Sequence, residues 1–384
     1  MAMRMTQAAP MLFGAGSIKE LGGQLQMLGA KKAIIITDKG VTNAGIAARI
    51  ENLIKEAGVG CDLYDGCLSD PPSDSIAVAA TEIKDSKADI IIALGGGSSI
   101  DTAKAASLVI NDGRPITELF FKPPKDPDLP IITIPTTSGT GSEVTIVAIV
   151  SDSATSQKCG VLISGSALAI VDPELTLGLP ADITAMTGMD VVAHAAEAVC
   201  GVQRNPMSDM RGFEALRLVN AHLYNAVKDG SNIVAREGMS LASSLAGMAF
   251  SDSLTSLAHS VSQAGAKAYH IHHGLLCGLA TPPQLEIFAE AIPHRIRKIG
   301  EIFGACIPDD ATPEQIGKIA ADRFRVIMNQ VGIKSFAQLG YSRKDITDLT
   351  DLLMEEGMKN NSPLPITKEV AFRTLDLSYN YVGA

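Results

Sequence analysis

The chain has 384 residues, of which 46% are hydrophobic and 19% charged, and its formal net charge is −10 at pH 7. This length predicts two domains, and the composition excludes a mainly disordered chain. The chain is acidic and has no clusters of Lys and Arg, so we expect it to bind neither nucleic acid nor an anionic membrane surface. It has no apolar stretch long enough to span a membrane and no apolar core of a signal peptide. We therefore expect a cytoplasmic protein.

The first part of the chain, up to about residue 180, alternates short apolar runs with amphipathic stretches. The apolar runs predict buried strands at 33–37, 89–94 and 129–134, with a candidate for a shorter strand at 58–65. The amphipathic stretches predict helices at 42–57, 73–86 and 98–110. Strands that are apolar on both faces and separated by helices are typical of a parallel sheet covered by helices. We therefore predict an α/β domain, Rossmann-like in its layout, over residues 1–180.

After Pro180 the β-branched runs stop and helical spacing of apolar residues dominates. Helices are predicted at 182–200, 207–228, 232–250, 253–268, 275–289, 312–331, 343–357 and 366–378. We therefore predict an all-helical second domain over residues 181–384.

A glycine-rich segment, residues 95–99, lies between a predicted strand and a predicted helix. Glycines let the backbone approach a phosphate closely, and the free N–H groups at a helix start favour an anion. The spacing differs from the G-x-G-x-x-G fingerprint, and a tight strand-to-helix turn is the alternative. We predict phosphate contacts here. The segment Gly14-Ala15-Gly16 is also incomplete as a fingerprint and predicts a turn.

Polar side chains follow two other predicted strands. Five hydroxyl side chains lie between residues 136 and 142, where pyrophosphate, ribose or nicotinamide contacts are expected, with an exposed polar loop as the alternative. Asp38 ends the first strand, where a carboxylate accepts hydrogen bonds from ribose hydroxyls and repels a 2′-phosphate. This position favours NAD over NADP, although a helix cap or a surface charge is the alternative for Asp38.

A dispersed set of Asp and His residues suits a metal. Asp190 and His194 are four residues apart in a predicted helix and share one face, while His259 and His273 lie in or next to other helices. One carboxylate with imidazoles suits Fe²⁺ or Zn²⁺, whereas capping or packing is the alternative for any single pair. On pattern alone four other histidines remain alternatives: His222, His270, His272 and His294. The six cysteines form no C-x-x-C pair, so neither disulfides nor a thiolate zinc cluster is expected.

Together these motifs resemble the iron-containing (group III) alcohol dehydrogenase family over nearly the whole chain. The matching segments are GGGSSIDTAKA (95–105), PTTSGTGSEVT (135–145), AIVDPELTLGLP (169–180), GMDVVAHAAEA (188–198), LAGMAFSDSLTSLAHS (245–260) and HHG (272–274). The resemblance implies a dinucleotide-binding α/β domain, a helical domain as in dehydroquinate synthase, and a metal site in the cleft between them. It implies a metal-dependent alcohol dehydrogenase or aldehyde reductase that transfers a hydride between NAD(H) and a small alcohol or aldehyde.

Carried over by position, the resemblance implies metal ligation by Asp190, His194, His259 and His273. Fe²⁺ is the favoured metal, with Zn²⁺ as the alternative, and NAD is favoured over NADP. The implied cofactor contacts are Asp38, Gly96, Gly97, Ser98, Thr136, Thr137, Thr140, Thr145, Lys158 and Leu179.

Two departures from the family pattern concern candidate site residues. Many members have His-x-x-x-His at the third ligand, but the second position here is Gln263, which hydrogen-bonds and does not titrate. We expect the proton to move through metal-bound water, the ribose hydroxyls or a nearby His such as His270. Gln263 and His270 are therefore the candidate catalytic residues. The usual Pro-Asn-Pro segment appears as Ser69-Asp70-Pro71, which makes Asp70 a candidate cofactor contact.

The sequence limits the range of possible substrates only through the mostly apolar residues that lie close to the motifs along the chain. These candidate pocket residues are Val147, Ile149, Phe250, Leu254 and Cys277, together with Gln263. They favour a small aliphatic alcohol or aldehyde. The alternatives are a zinc-dependent, glycerol dehydrogenase-like polyol oxidoreductase, a dehydroquinate synthase-like lyase and a non-enzymatic nucleotide or metal carrier. A homodimer is the default expectation for a cytosolic enzyme.

Overall fold

The computed structural model describes residues 9–269 and 271–379. The chain divides into two compact units between Gly178 and Leu179. Within the described residues, no helix has both the length and the apolar character needed to cross a membrane.

The described part of the first unit contains eight strands, in two sheets. They are β1 (Met11–Phe13), β2 (Lys32–Ile36), β3 (Gly60–Tyr64), β4 (Ile90–Gly95), β5 (Ile131–Pro135), β6 (Val147–Ser151), β7 (Lys158–Leu162) and β8 (Leu168–Val171). Six of them form a sheet in the order β1-β8-β5-β4-β2-β3, and every neighbouring pair in it is parallel. Strands β6 and β7 pair separately as an antiparallel hairpin. The predicted parallel sheet is therefore confirmed.

Helices cover both faces of this sheet. They are α1 (Leu21–Met27), α2 (Lys39–Asn43), α3 (Ile46–Glu56), α4 (Ser73–Ser86) and α5 (Gly97–Asp112). In β2, Ile34 packs in one core with Ile76 of α4, whereas Ile35 packs in a second core with Ile50 of α3. Successive side chains of a strand point to opposite faces, which explains why this strand is apolar at every position from Ala33 to Ile36.

The second unit is helical throughout its described residues, as predicted. Its helices are α6 (Ala181–Cys200), α7 (Pro206–Lys228), α8 (Ile233–Ser253), α9 (Leu257–Tyr269), α10 (His273–Phe288), α11 (Pro293–Ile302), α12 (Pro313–Gln330), α13 (Arg343–Thr347), α14 (Thr350–Glu355) and α15 (Lys368–Tyr379). Helix α6 is buried along almost all of its length after Gly188 and contributes to the core of this unit. It therefore provides a rigid base for side chains that project from it.

Several element boundaries differ from the prediction. The helix predicted at 42–57 is interrupted at Gly45, whose φ of 76° is left-handed, so α2 and α3 are separate. The helix predicted at 343–357 is likewise two short helices, α13 and α14. The prediction also missed β1, β8, the β6–β7 hairpin, α1 and α11. The strands among them are three to five residues long, which is too short for a clear period.

Candidate metal centre and cofactor-binding loops

Three imidazoles converge on one carboxylate oxygen in the second unit. Asp190 and His194 project from the same face of α6, and Nδ1 of His194 lies 3.7 Å from Oδ1 of Asp190. Nε2 of His259, from α9, lies 3.7 Å from the same oxygen. Nε2 of His273, the first residue of α10, lies 3.6 Å from it. The structure thus brings together the four residues that the resemblance implies as metal ligands.

The charges at this centre suit a cation. Within the described residues, Oδ1 of Asp190 and Nε2 of His259 are buried and have no hydrogen-bond partner. Burial by itself raises the pKa of Asp190, but the attraction of His194, His273 and His259 outweighs it and lowers this pKa to about 2. An ionised carboxylate and imidazole nitrogens are ligands for divalent first-row metals. A divalent cation among them would give both buried atoms a partner, so these residues fit the predicted metal.

Two further residues orient the imidazoles, and the sequence analysis missed both. Oε2 of Glu197 lies 2.5 Å from Nδ1 of His259, and Oε1 of Glu197 accepts the backbone N–H of Ala258 at 2.6 Å. The hydroxyl of Ser262 lies 2.7 Å from Nδ1 of His273. Both contacts leave Nε2 of the ring for the centre, as partners of metal-binding histidines commonly do. The sequence does contain a signal for the role of Glu197, because it is a carboxylate in an otherwise apolar stretch of α6.

Two of the predicted pocket residues contact this centre. Cys277 lies on α10, and its Sγ is 3.6 Å from Nε2 of His273. The ligand atoms of Asp190, His259, His273 and Cys277 all lie within 4.8 Å of one another. The ring of Phe250 stacks on His194 with 4.3 Å between the centroids.

The roles of the other predicted pocket and catalytic residues stay predictions. Leu254 follows α8 and is 44% exposed. Val147 and Ile149 lie on β6 in the first unit. Gln263 lies on α9, where its Nε2 is 3.8 Å from Sδ of Met358. His270 lies outside the described residues, so its predicted role stays a prediction.

The predicted glycine turn and hydroxyl loop contact each other in the first unit. Gly95 ends β4 with a φ of 142°, and its carbonyl accepts the N–H of Thr136 at 3.0 Å. Gly97 opens α5, and a Cβ added there would lie only 2.6 Å from Cγ2 of Thr140. A Cβ added at Gly96 would lie at an ordinary contact distance, 3.5 Å, from the Thr137 side chain. The absence of a side chain at Gly97 therefore lets the two segments approach at the carboxyl ends of β4 and β5.

Asp38 lies beside the glycine turn and caps a helix. Its Oδ1 accepts the N–H of Val41 at the start of α2, at 3.1 Å, and its Oδ2 accepts the hydroxyl of Ser99 at 2.8 Å. The helix-cap alternative is therefore correct for one oxygen. The ribose contact of Asp38 stays a prediction.

Asp70 and Lys158 form an ion pair near the start of α5. Nζ of Lys158 lies 2.6 Å from Oδ1 of Asp70, and the N–H of Asp70 donates to the hydroxyl of Ser98 at 3.2 Å. The side chain of Lys158 is only 11% exposed. Lys158 is therefore largely buried, and three predicted cofactor contacts, Asp70, Lys158 and Ser98, lie in one cluster.

The remaining two predicted cofactor contacts, Thr145 and Leu179, form hydrogen bonds to other residues of their own units. The Thr145 hydroxyl lies 3.2 Å from Nζ of Lys104 and 3.0 Å from the carbonyl of Val147. Leu179 is the first residue of the second unit, and its carbonyl accepts Nη2 of Arg236 at 3.0 Å. Their cofactor contacts stay predictions.

A buried lysine and aspartate on α5 hold the segment that follows the hydroxyl loop. The fully buried ammonium of Lys104 donates to the carbonyls of Ser142, Thr145 at 2.8 Å and Val147 at 3.2 Å. Oδ2 of Asp101 accepts the N–H of Ile149 at 2.9 Å, and its other oxygen accepts the Ser142 hydroxyl. The sequence analysis missed this pair, although two charges three residues apart in the otherwise uncharged stretch 97–110 of this helix are a signal for it.

Comparison with known families now identifies the chain. The profile of iron-containing alcohol dehydrogenases matches residues 8–173, and the profile of the C-terminal part of the Fe-containing alcohol dehydrogenase family matches residues 184–379. The chain belongs to the iron-containing alcohol dehydrogenase family. It is an oxidoreductase that acts on alcohols or aldehydes. The predicted family and reaction class are confirmed, and the lyase and carrier alternatives lose their support.

Three relatives illustrate the similarity. The chain is 33% identical over 374 residues to a sulfoacetaldehyde reductase of Bilophila wadsworthia, covering 95% of this chain and 96% of that protein. It is 33% identical over 358 residues to an NAD-dependent methanol dehydrogenase of Bacillus methanolicus, covering 92% and 93%. Its fold matches an alcohol dehydrogenase from Oenococcus oeni with a TM-score of 0.92 and 30% identity, over 98% of this chain and 100% of the other.

Proposed function

We propose that this protein transfers a hydride between NAD(H) and a small aliphatic alcohol or aldehyde, with a divalent cation held by Asp190, His194, His259 and His273. The observation that carries the proposal is the convergence of three imidazoles on Oδ1 of Asp190, at 3.6 to 3.7 Å. The family name favours Fe²⁺, and Zn²⁺ is the alternative because it accepts the same ligands.

The chain's own part in this reaction is placement. When bound, the cation would polarise the substrate oxygen and the nicotinamide would carry the hydride. Glu197 and Ser262 hold the Nδ1 atoms of two imidazoles, so that both Nε2 atoms face Asp190. Phe250 covers one face of His194 and keeps water from it. Fixed ligands of this kind lower the cost of ordering the site during the reaction.

The first unit would bind the dinucleotide through the turn at Gly96, Gly97 and Ser98. A second group of contacts would come from the hydroxyls of Thr136, Thr137 and Thr140, which lie against that turn. The helix start at Gly97 offers N–H groups to a phosphate, and Asp38 beside it disfavours a 2′-phosphate. The NAD-dependent Bacillus methanolicus relative supports the same choice of cofactor.

Asp70, Lys158, Thr145 and Leu179 complete the proposed cofactor contacts. Lys158 is the most informative of them, because its ion pair with Asp70 places a positive charge near Ser98 of the turn. A positive charge at this place favours a phosphate group.

The substrate would be small and aliphatic. Phe250 and Cys277 contact the centre, and neither side chain offers the strong hydrogen-bonding groups that would select a polyol. The relatives named for sulfoacetaldehyde and methanol support this size class. Because Gln263 does not titrate, we propose that it positions the substrate by a hydrogen bond while water, the ribose hydroxyls or His270 passes the proton.

The test is a metal-replacement assay with a matched pair of variants. Metal-free protein is mixed with Fe²⁺ or Zn²⁺, and NADH absorbance is followed with a panel of small alcohols, polyols and aldehydes. We expect wild-type activity to return with one equivalent of metal, and Asp190→Asn to lose at least about a hundredfold in kcat/KM. The exposed Asp182→Asn at the start of the same helix is the control and keeps full activity. Full activity of Asp190→Asn, or of the chelated wild type, would contradict the proposal.

A further inference from the structure

Cys277 lies at the metal centre, on the same face of α10 as His273. The two residues are four positions apart in the helix, which places their side chains one above the other. The side chain of Cys277 is fully buried, and its Sγ is 3.6 Å from Nε2 of His273. The thiol therefore faces the group of atoms that we propose as metal ligands.

The distance from the Cys277 thiol to His273 suits a metal ligand as well as the distance from the Asp190 carboxylate to His273 does. Two donors at about 2.1 Å and about 2.3 Å from one cation, at ligand–metal–ligand angles of about 90° to 110°, are roughly 3.1 to 3.6 Å apart. Sγ of Cys277 and Oδ1 of Asp190 both lie 3.6 Å from Nε2 of His273. Sγ also belongs to the set of four ligand atoms that lie within 4.8 Å of one another.

The hydrogen bonds around the centre indicate which lone pairs face it. The Ser262 hydroxyl donates to the carbonyl of His273 at 3.0 Å, so it accepts from Nδ1 of that ring. Glu197 likewise accepts from Nδ1 of His259. Both Nε2 atoms therefore present lone pairs to the centre, beside the Asp190 carboxylate and the Cys277 sulfur. Four electron-pair donors around one point are best satisfied by a cation.

We propose that Cys277 is a further ligand of the cation and binds it as a thiolate. This inference rests on the proposed function, because it needs the same ion. The sulfur–metal bond forms as the S–H bond breaks, and the thiol proton leaves to the buffer without any change of oxidation state. A thiolate is a softer ligand than imidazole or carboxylate, so Cys277 raises the affinity for Zn²⁺ and Co²⁺ more than the affinity for Fe²⁺.

The experiment uses Co²⁺ as the probe and absorbance as the readout. Metal-free full-length protein is titrated with Co²⁺, and the near-ultraviolet thiolate-to-cobalt band is recorded with the visible cobalt bands. We expect both in the wild type, and only the visible bands in Cys277→Ser. The exposed Cys306→Ser is the matched control and keeps both. In competition with a chelator, we expect Cys277→Ser to lose about tenfold or more in Zn²⁺ affinity, and less in Fe²⁺ affinity.

Two results would overturn the proposal. The first is a wild type that binds one equivalent of Co²⁺ with visible bands but without the near-ultraviolet band, and this measurement needs no variant to fold. The second is a near-ultraviolet band that persists in Cys277→Ser. A wild type that binds no Co²⁺ would overturn the proposed function too, so the visible bands distinguish the two failures.

Discussion

Nδ1 of His259 lies 2.5 Å from Oε2 of Glu197, a carboxylate that is fully buried on α6. Burial by itself raises the pKa of Glu197, but His259 outweighs it and lowers this pKa. The carboxylate is thus ionised and fixes both the tautomer and the rotation of the ring. Asp190, His194 and Glu197 lie on the same helix, so α6 provides two proposed ligands and positions a third, His259.

Glu197→Gln tests this positioning role. The amide oxygen still accepts a hydrogen bond from Nδ1, but the negative charge is lost, so the ring becomes a weaker ligand. We expect metal affinity to fall about 10- to 100-fold, measured by competition with a chelator. The exposed Glu214→Gln should bind metal like the wild type. Equal affinities in the two variants would show that Glu197 has only a packing role.

Metal removal should lower the thermal stability of the protein. A ligand that binds only the folded state, at a concentration of 100 times its Kd, adds about 2.7 kcal/mol to the free energy of unfolding. We expect a Tm several degrees lower in a chelator than with excess Zn²⁺, measured by scanning calorimetry. Asp190→Asn should show a much smaller difference. A wild-type Tm that is the same with and without metal would contradict the proposal that these residues bind a cation.

Asp38→Asn tests cofactor choice. The Asn side chain still accepts the N–H of Val41, so the cap on α2 is kept, while the charge that repels a 2′-phosphate is removed. We expect the ratio of kcat/KM for NADPH to that for NADH to rise at least about tenfold, which is about 1.4 kcal/mol. Asp62→Asn, a change at a partly exposed position of β3, should leave the ratio unaltered. An unaltered NADPH-to-NADH ratio in Asp38→Asn would contradict the proposed ribose contact.

Lys104→Met tests the buried network on α5. The variant leaves the carbonyls of Ser142, Thr145 and Val147 without their ammonium donor. We expect the free energy of unfolding to fall by about 2 kcal/mol or more, measured by urea denaturation. Lys55→Met, at an exposed position of α3, should change it by less than about 0.5 kcal/mol. Similar values for both variants would show that the network does not stabilise the fold.

The stability contribution of Lys104 should depend on pH. Burial lowers the pKa of Lys104 to about 8, whereas a lysine in the unfolded chain has a pKa near 10.4. Between these values the unfolded state binds more protons than the folded state, so the contribution rises with pH and is lost as pH falls through 8. The difference in unfolding free energy between wild type and Lys104→Met should therefore grow by up to about 3 kcal/mol from pH 8 to pH 10.5. A difference that shrinks over this range would contradict the lowered pKa.

Local pattern was sufficient for the long and fully buried elements. Helix α4 has the predicted bounds, and the isoleucine run of β4 forms a central strand, because its two faces are both covered. Pattern failed where the elements are short or polar. Strand β1 has three residues and gives no clear apolar period. Helix α11 was missed although Ile292, Ile296, Ile299 and Phe303 are buried at helical spacing between its charges.

The sequence by itself determined the two fold classes, the glycine turn, the hydroxyl loop and a set of candidate ligands, because burial on one or two faces leaves a period along the chain. Only the tertiary structure decided which of the candidates meet. His222 packs over Gly238 between α7 and α8, whereas His259 and His273 reach Asp190. Glu197 and Cys277 joined the same centre. Convergence of side chains from separate helices depends on how those helices pack, and packing between distant segments leaves no periodic trace in the sequence.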